Sequence, residues 1–162
     1  MTTVRLTITL DATQENVYAM AGTDTAIALV IPPAYQCATP FGADIGGANP
    51  AFFAIANNAA LGYAEFDSWL TIGVTDGSAP GAITASPGFD LGTWTDSAGL
   101  SEDNAAIFYM EPSAGPGGSD PIVMAQMTVS AETVAGGGTA TAKLQGRSVV
   151  GDDWELPVSW SW

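Results

Sequence analysis

Val4, Leu6, Ile8 and Leu10 alternate with Arg5, Thr7 and Thr9. A period of two puts each set on its own face of an extended chain and predicts a half-buried strand. The same logic runs on. Residues 17–22 and 25–31 predict the arms of a hairpin turning at Gly22-Thr23-Asp24. Pro32-Pro33 ends it, because proline has no N–H to give a ladder. Alternation returns at residue 64: Ala64, Phe66, Leu70, Ile72 and Val74 fall on one face, with Glu65, Asp67, Trp69 and Thr71 on the other. Residues 105–110 and 122–129 read as strands apolar on both faces. Residues 139–149 alternate Thr139, Thr141, Lys143, Gln145 and Arg147 against smaller, more apolar neighbours. Gly151-Asp152-Asp153 then predicts a turn, and Trp154, Leu156, Val158, Trp160 and Trp162 share one face of a last strand. Pro157 assigns that strand to an edge or a bulge.

No segment of useful length carries a 3.6-residue period. The pattern predicts an all-β jelly-roll or Ig-like sandwich of about eight or nine strands with an extended N-terminal strand. Residues 34–62 break the pattern. Residues 51–61 are alanine-rich and read as one short helix or an irregular excursion. A connection this long is unusual inside a compact domain, which makes it a candidate contact region.

Composition narrows the chemistry. The chain has 162 residues, 3 of them Lys or Arg, 17 Asp or Glu, and no histidine, for a formal charge of −14. Three basic residues cannot neutralise a run of phosphates, so nucleic acid is excluded as a partner, and anionic membrane surfaces with it. The longest apolar run, residues 26–33, is too short to insert across a bilayer. Without histidine there is no histidine-based triad. Cys37, the single cysteine, has no basic sequence neighbour to activate it and reads as a buried core thiol. No catalytic residue and no cofactor is expected, and the chain does not read as an enzyme. Lys143 and Arg147 are expected to pair with acids across strands.

The carboxylates leave one metal candidate. Glu102 and Asp103, with Asp152 and Asp153, could offer oxygen ligands to a structural calcium. Their spacing does not fit a D-x-[DN]-x-[DN]-G loop, and solvated turn carboxylates are the competing reading. The aromatic residues could alternatively line a platform for glycans. Trp69 stands out for this because it lies on the polar face of its strand.

The first strand raises a different expectation. An edge strand with an apolar face is a template for another strand, and proteins usually blunt such edges with lysine or proline. Here residues 1–12 are the candidate donated strand and residues 13–162 the sandwich domain. Val4, Leu6, Ile8 and Leu10 are the candidate pocket-filling residues of a subunit contact, joined by Tyr35, Phe41, Phe52 and Phe53 from the irregular region. Head-to-tail donation would build a homopolymer from copies of the chain.

The runs Pro33-Ala34-Tyr35-Gln36-Cys37-Ala38-Thr39-Pro40-Phe41-Gly42-Ala43-Asp44, Phe66-Asp67-Ser68-Trp69-Leu70-Thr71-Ile72-Gly73 and Gly146-Arg147-Ser148-Val149-Val150-Gly151-Asp152-Asp153-Trp154 together resemble a β-rich module of extracellular proteins from algae and other aquatic microbes. The chain is also similar to jelly-roll subunits of environmental filaments, in which an extended N-terminal segment docks into the next subunit. The resemblance implies a secreted or cell-surface structural protein that self-assembles by strand donation. It implies no catalytic residue. A non-catalytic carbohydrate-binding sandwich is the alternative.

Overall fold

The protein's structure, a computed structural model, describes residues 1–24, 26–79 and 81–162. Two antiparallel sheets face each other across one core, so the chain is the all-β sandwich its pattern predicts. The smaller sheet has the order β1-β10-β6, with β1 at Thr2–Ile8, β10 at Ile122–Val129 and β6 at Trp69–Leu70. β1 runs antiparallel to β10 from Thr2↔Val129 to Ile8↔Ile122, with a register shift between Leu6 and Thr7. Its apolar face turns inward: Leu6 and Leu10 are core residues, and Val4 and Ile8 pack against them. Among the described residues its other flank carries no strand.

The larger sheet is built on β11 (Thr139–Gly146), whose Ala140, Ala142 and Leu144 point inward as the alternation requires. On one flank β11 pairs over its whole length with β12 (Trp154–Ser161). On the other it pairs first with β3 (Leu29–Ile31) and then with β2 (Ala19–Gly22), both antiparallel to it. The expected hairpin of residues 17–31 is therefore wrong. β2 and β3 run in the same direction as one strand line, interrupted between Gly22 and Leu29; Thr25, in the expected second arm, lies outside the described residues. Gly22 makes the close approach of the neighbouring strands possible. A Cβ there would lie 1.9 Å from the Glu102 carbonyl oxygen and 2.5 Å from the Leu29 nitrogen. The next line is divided at the same level: β8 (Leu100–Glu102) pairs with β3, and β9 (Ala105–Tyr109) pairs with β2. β7 (Ile83–Ala85) closes the far edge. The described residues hold twelve strand segments, β1 to β12, where the pattern predicts about eight or nine; the additional ones, β7 and β8 among them, are only two or three residues long.

β12 is the edge strand that Pro157 predicts. The Trp162 N–H donates to the Gly138 carbonyl, which directs the even-numbered residues of β12 toward β11. Pro157 therefore turns its nitrogen to the open flank, where no ladder bond is lost. Each end of the ladder sets a tryptophan on a glycine. A Cβ on Gly138 would meet the Trp162 indole at 2.4 Å, and one on Gly146 would meet that of Trp154 at 2.4 Å. The Lys143 ammonium pairs with Glu155 across this ladder, as expected for Lys143.

The helices are single turns. Among the described residues, α1 (Phe53–Ala56) and α2 (Ala131–Ala135) are the α-helices, the second capped by the Ser130 hydroxyl accepting from the Thr133 N–H. No helix among the described residues is long and apolar enough to cross a membrane.

Candidate functional site

The irregular region does one structural job. Residues 34–66 fold back over the outer face of the small sheet and form a flap with a minor core of Cys37, Ala56 and Ala64. α1 lies within it, and β4 (Asn57–Asn58) and β5 (Gly62–Tyr63) make a minimal hairpin. Asp67 staples the flap down. Its carboxylate is fully buried, and its two oxygens accept from the Cys37 N–H and the Ala43 N–H, each at 2.7 Å. Burial pushes its pKa up to about 6, against the pull of those N–H groups toward the ionised form. This is why the expected alternation across residues 64–74 fails locally. The chain must turn at residues 64–66 to bring Asp67 inward, so only Trp69 and Leu70 remain as strand.

Beneath the flap, three side chains cross the outer sheet face in register: Arg5, Gln126 and Trp69. Trp69 is on the polar face, as its period predicts, yet it is buried under the flap. The Arg5 guanidinium sits 5.8 Å from the centre of the indole, and its Nε donates to Gln126 Oε1 at 3.0 Å. Gln126 Nε2 donates to the carbonyls of Asp67 and Glu65, which locks the row to the flap. A recess of about 280 Å³ opens above it, edged by Glu65, Asp76 and Phe53.

One step along the same strands, the flap's margin leaves a larger cleft of about 560 Å³, lined by Met1, Thr3, Tyr35, Tyr63, Phe66 and Thr128. Its aromatic rings are fixed from behind. The Tyr35 hydroxyl oxygen accepts the Tyr63 N–H at 3.1 Å. Gly62, at φ 86°, lets the hairpin close onto them; a Cβ there would lie 2.8 Å from Cys37 Sγ and 3.1 Å from the Tyr35 hydroxyl. On the sheet side Thr3 and Thr128 form a cross-strand hydroxyl pair at 2.8 Å. Tyr63 and Phe66 are each 43% exposed, so large apolar faces remain open to a ligand.

A third feature lies on the side of the sandwich. The open flanks of β1 and β12 border a groove of about 290 Å³, with Ile8, Leu10, Leu144, Leu156 and Val158 among its walls. The Trp160 indole N–H reaches the Thr7 carbonyl at 2.9 Å and ties the two edges at one point.

The expected contact residues are thus divided. Val4, Leu6, Ile8 and Leu10 serve this chain's own core, while Ile8 and Leu10 also reach the groove. Phe41 and Phe52 pack edge to face at 5.6 Å within the flap, and Phe53 covers the minor core. Tyr35 alone of these lines the aromatic cleft. Tyr63 and Phe66 were not expected there. The alternation that restarts at residue 64 places Phe66 on one face with Leu70 and Ile72, and Tyr63 lies just before it. Glu102 ends β8 and Asp103 lies in the break before β9, while Asp152 and Asp153 lie in the turn before β12. Asp153 accepts a hydrogen bond from the Tyr18 hydroxyl at 3.0 Å. Among the described residues no three carboxylate, thiol or imidazole groups gather in a cluster that could hold a metal. Cys37 is free and buried, and burial, followed by the Asp67 charge, raises its thiol pKa.

No protein-family model, no curated protein and no solved structure matches the chain. The class that can be stated is an acidic all-β sandwich with a flap over its smaller sheet.

Proposed function

We propose that the protein is a non-catalytic structural module, placed outside the cell, whose copies join by donation of β1. The observation that carries this is the position of β1 at a sheet edge. It is held by one partner strand, β10, and its slot opens sideways onto the groove beside β12. A neighbour's identical strand can enter such a slot without threading. It would make the same ladder and bury the same Leu6, so exchange adds no new contact to be optimised. The stretch from Thr9 to Tyr18 contains no strand and would act as the connecting arm. Net charge of −14 keeps isolated copies apart at low ionic strength, so assembly is expected to strengthen with salt.

The test locks β1 covalently. Thr3 and Thr128 face each other across the ladder, and cysteines at both positions would be close enough to bridge. Oxidation of the double variant during assembly is expected to give a ladder of covalent multimers on a non-reducing gel. Bands of monomer only, with a monomeric mass by light scattering across protein and salt concentrations, would refute donation.

A further inference from the structure

We infer that the cleft of Tyr35, Tyr63 and Phe66 binds a neutral oligosaccharide, laid along β1 at the flap's margin with its next residue in the recess beside Arg5. This site is distinct from the groove beside β12, but it includes Thr3 and Arg5 of β1, which are contributed by whichever copy supplies that strand. Three observations converge on it. First, no side chain lining the cleft carries a charge, although the chain has seventeen acidic residues. A cation-binding site would draw on those carboxylates, and an anion would have to approach a strongly negative molecule. A neutral ligand meets neither condition. Second, the cleft joins exposed aromatic faces to hydroxyl groups. The C–H face of a pyranose ring packs on an aromatic ring, and its rim hydroxyls require partners of the kind that the Thr3–Thr128 pair and the Tyr35 hydroxyl present. Third, the site continues. Thr3 and Arg5 are two residues apart on the same face of β1, and Thr128 and Gln126 are two apart on β10. The two rows therefore lie about 7 Å from one another, a separation on the scale of a sugar repeat. At the second row the guanidinium of Arg5, with Glu65 and Asp76 at the margin, offers donors and acceptors to hydroxyls.

The size also selects this occupant. A volume of about 560 Å³ suits a small ligand. Six lining residues are far fewer than the roughly 20–30 a side of a stable protein interface. Pre-organisation by the Tyr63 N–H to Tyr35 bond and by Gly62 means that binding would order little further.

The experiment is electrophoresis of the native protein through gels containing hydroxyethylcellulose, galactomannan, laminarin or xylan, with alginate as the acidic control. Retardation by at least one neutral polymer and none by alginate is expected. Tyr63→Ala and Phe66→Ala should each weaken binding at least about tenfold, and Thr128→Val by a few-fold, with far-UV circular dichroism unchanged. Saturation-transfer NMR of the unmodified protein with the matching oligosaccharide supplies a readout that no substitution can confound: irradiating the aromatic protons should label the sugar. Absence of retardation in every neutral polymer overturns the inference. So does retardation that survives both aromatic substitutions, or a change of particle mass on making them, which would assign the patch to a protein contact.

Discussion

Asp67 makes a prediction whose sign is opposite to that of an ion-paired or strongly hydrogen-bonded carboxylate. It is fully buried, and its folded pKa is raised from 3.8 to about 6. The folded state therefore binds the proton more tightly than the unfolded state. Its stabilising contribution is complete below the unfolded value and is lost as pH rises through about 6. The full shift is worth about 3 kcal/mol, of which about 2 kcal/mol falls between pH 4.5 and pH 7. The perturbation is Asp67→Asn, which removes the titration. Both proteins are unfolded in urea at intervals from pH 4.5 to pH 7, and their unfolding free energies are subtracted at each pH. Titration of the other sixteen acidic residues cancels in that difference. The native protein should gain about 2 kcal/mol on the variant as the pH falls across this window. The variant carries a constant offset as well. Its amide nitrogen faces one of the two N–H donors, which leaves that donor unsatisfied at a cost of about 1–3 kcal/mol. Parallel stability curves would show that the N–H donors balance burial, and a native protein that loses ground on acidification would show that they outweigh it; either outcome refutes the reasoning.

Two further outcomes are expected. Gly22→Ala places a methyl against two backbone atoms that cannot rotate away, and it should lower stability by more than about 2 kcal/mol, read as a reduced urea midpoint with an unchanged slope. The Cys37 thiol should react slowly with an aromatic disulfide reagent at pH 8 in the native protein and rapidly in urea; equal rates would contradict its burial beneath the flap.

The strands that sequence makes legible are those that meet water on one face and core on the other. β1, β11 and β12 show their alternation directly, and Pro157 identifies its edge because a missing N–H has few places to be tolerated. β10 reads as apolar on both faces because the flap covers its second face, with Gln126 and Thr128 buried there despite their polarity. The flap itself leaves no periodic trace. It is held by one carboxylate, a few carbonyls and small residues such as Ala56 and Ala64, none of which recurs at fixed spacing. The strand line of β2 and β3 is hidden in the sequence for a related reason. Gly22-Thr23-Asp24 is a sound turn signal locally, and only the approach of Glu102 and Leu29 to Gly22 shows that the chain resumes its direction. The aromatic cleft is half legible: Tyr35 falls in a region singled out for lacking a pattern, whereas Tyr63 and Phe66 come together with it only through the flap.

The two strand lines of the large sheet are interrupted at one level, where Gly22 and Ala105 end one block and Leu29 and Glu102 begin the next. Across that level β11 and β12 run unbroken. Tension applied along the strands therefore reaches a seam bridged by a two-strand splint, riveted at its ends by Trp154 and Trp162. Under load the large sheet should part there first, with the splint as the last element to yield.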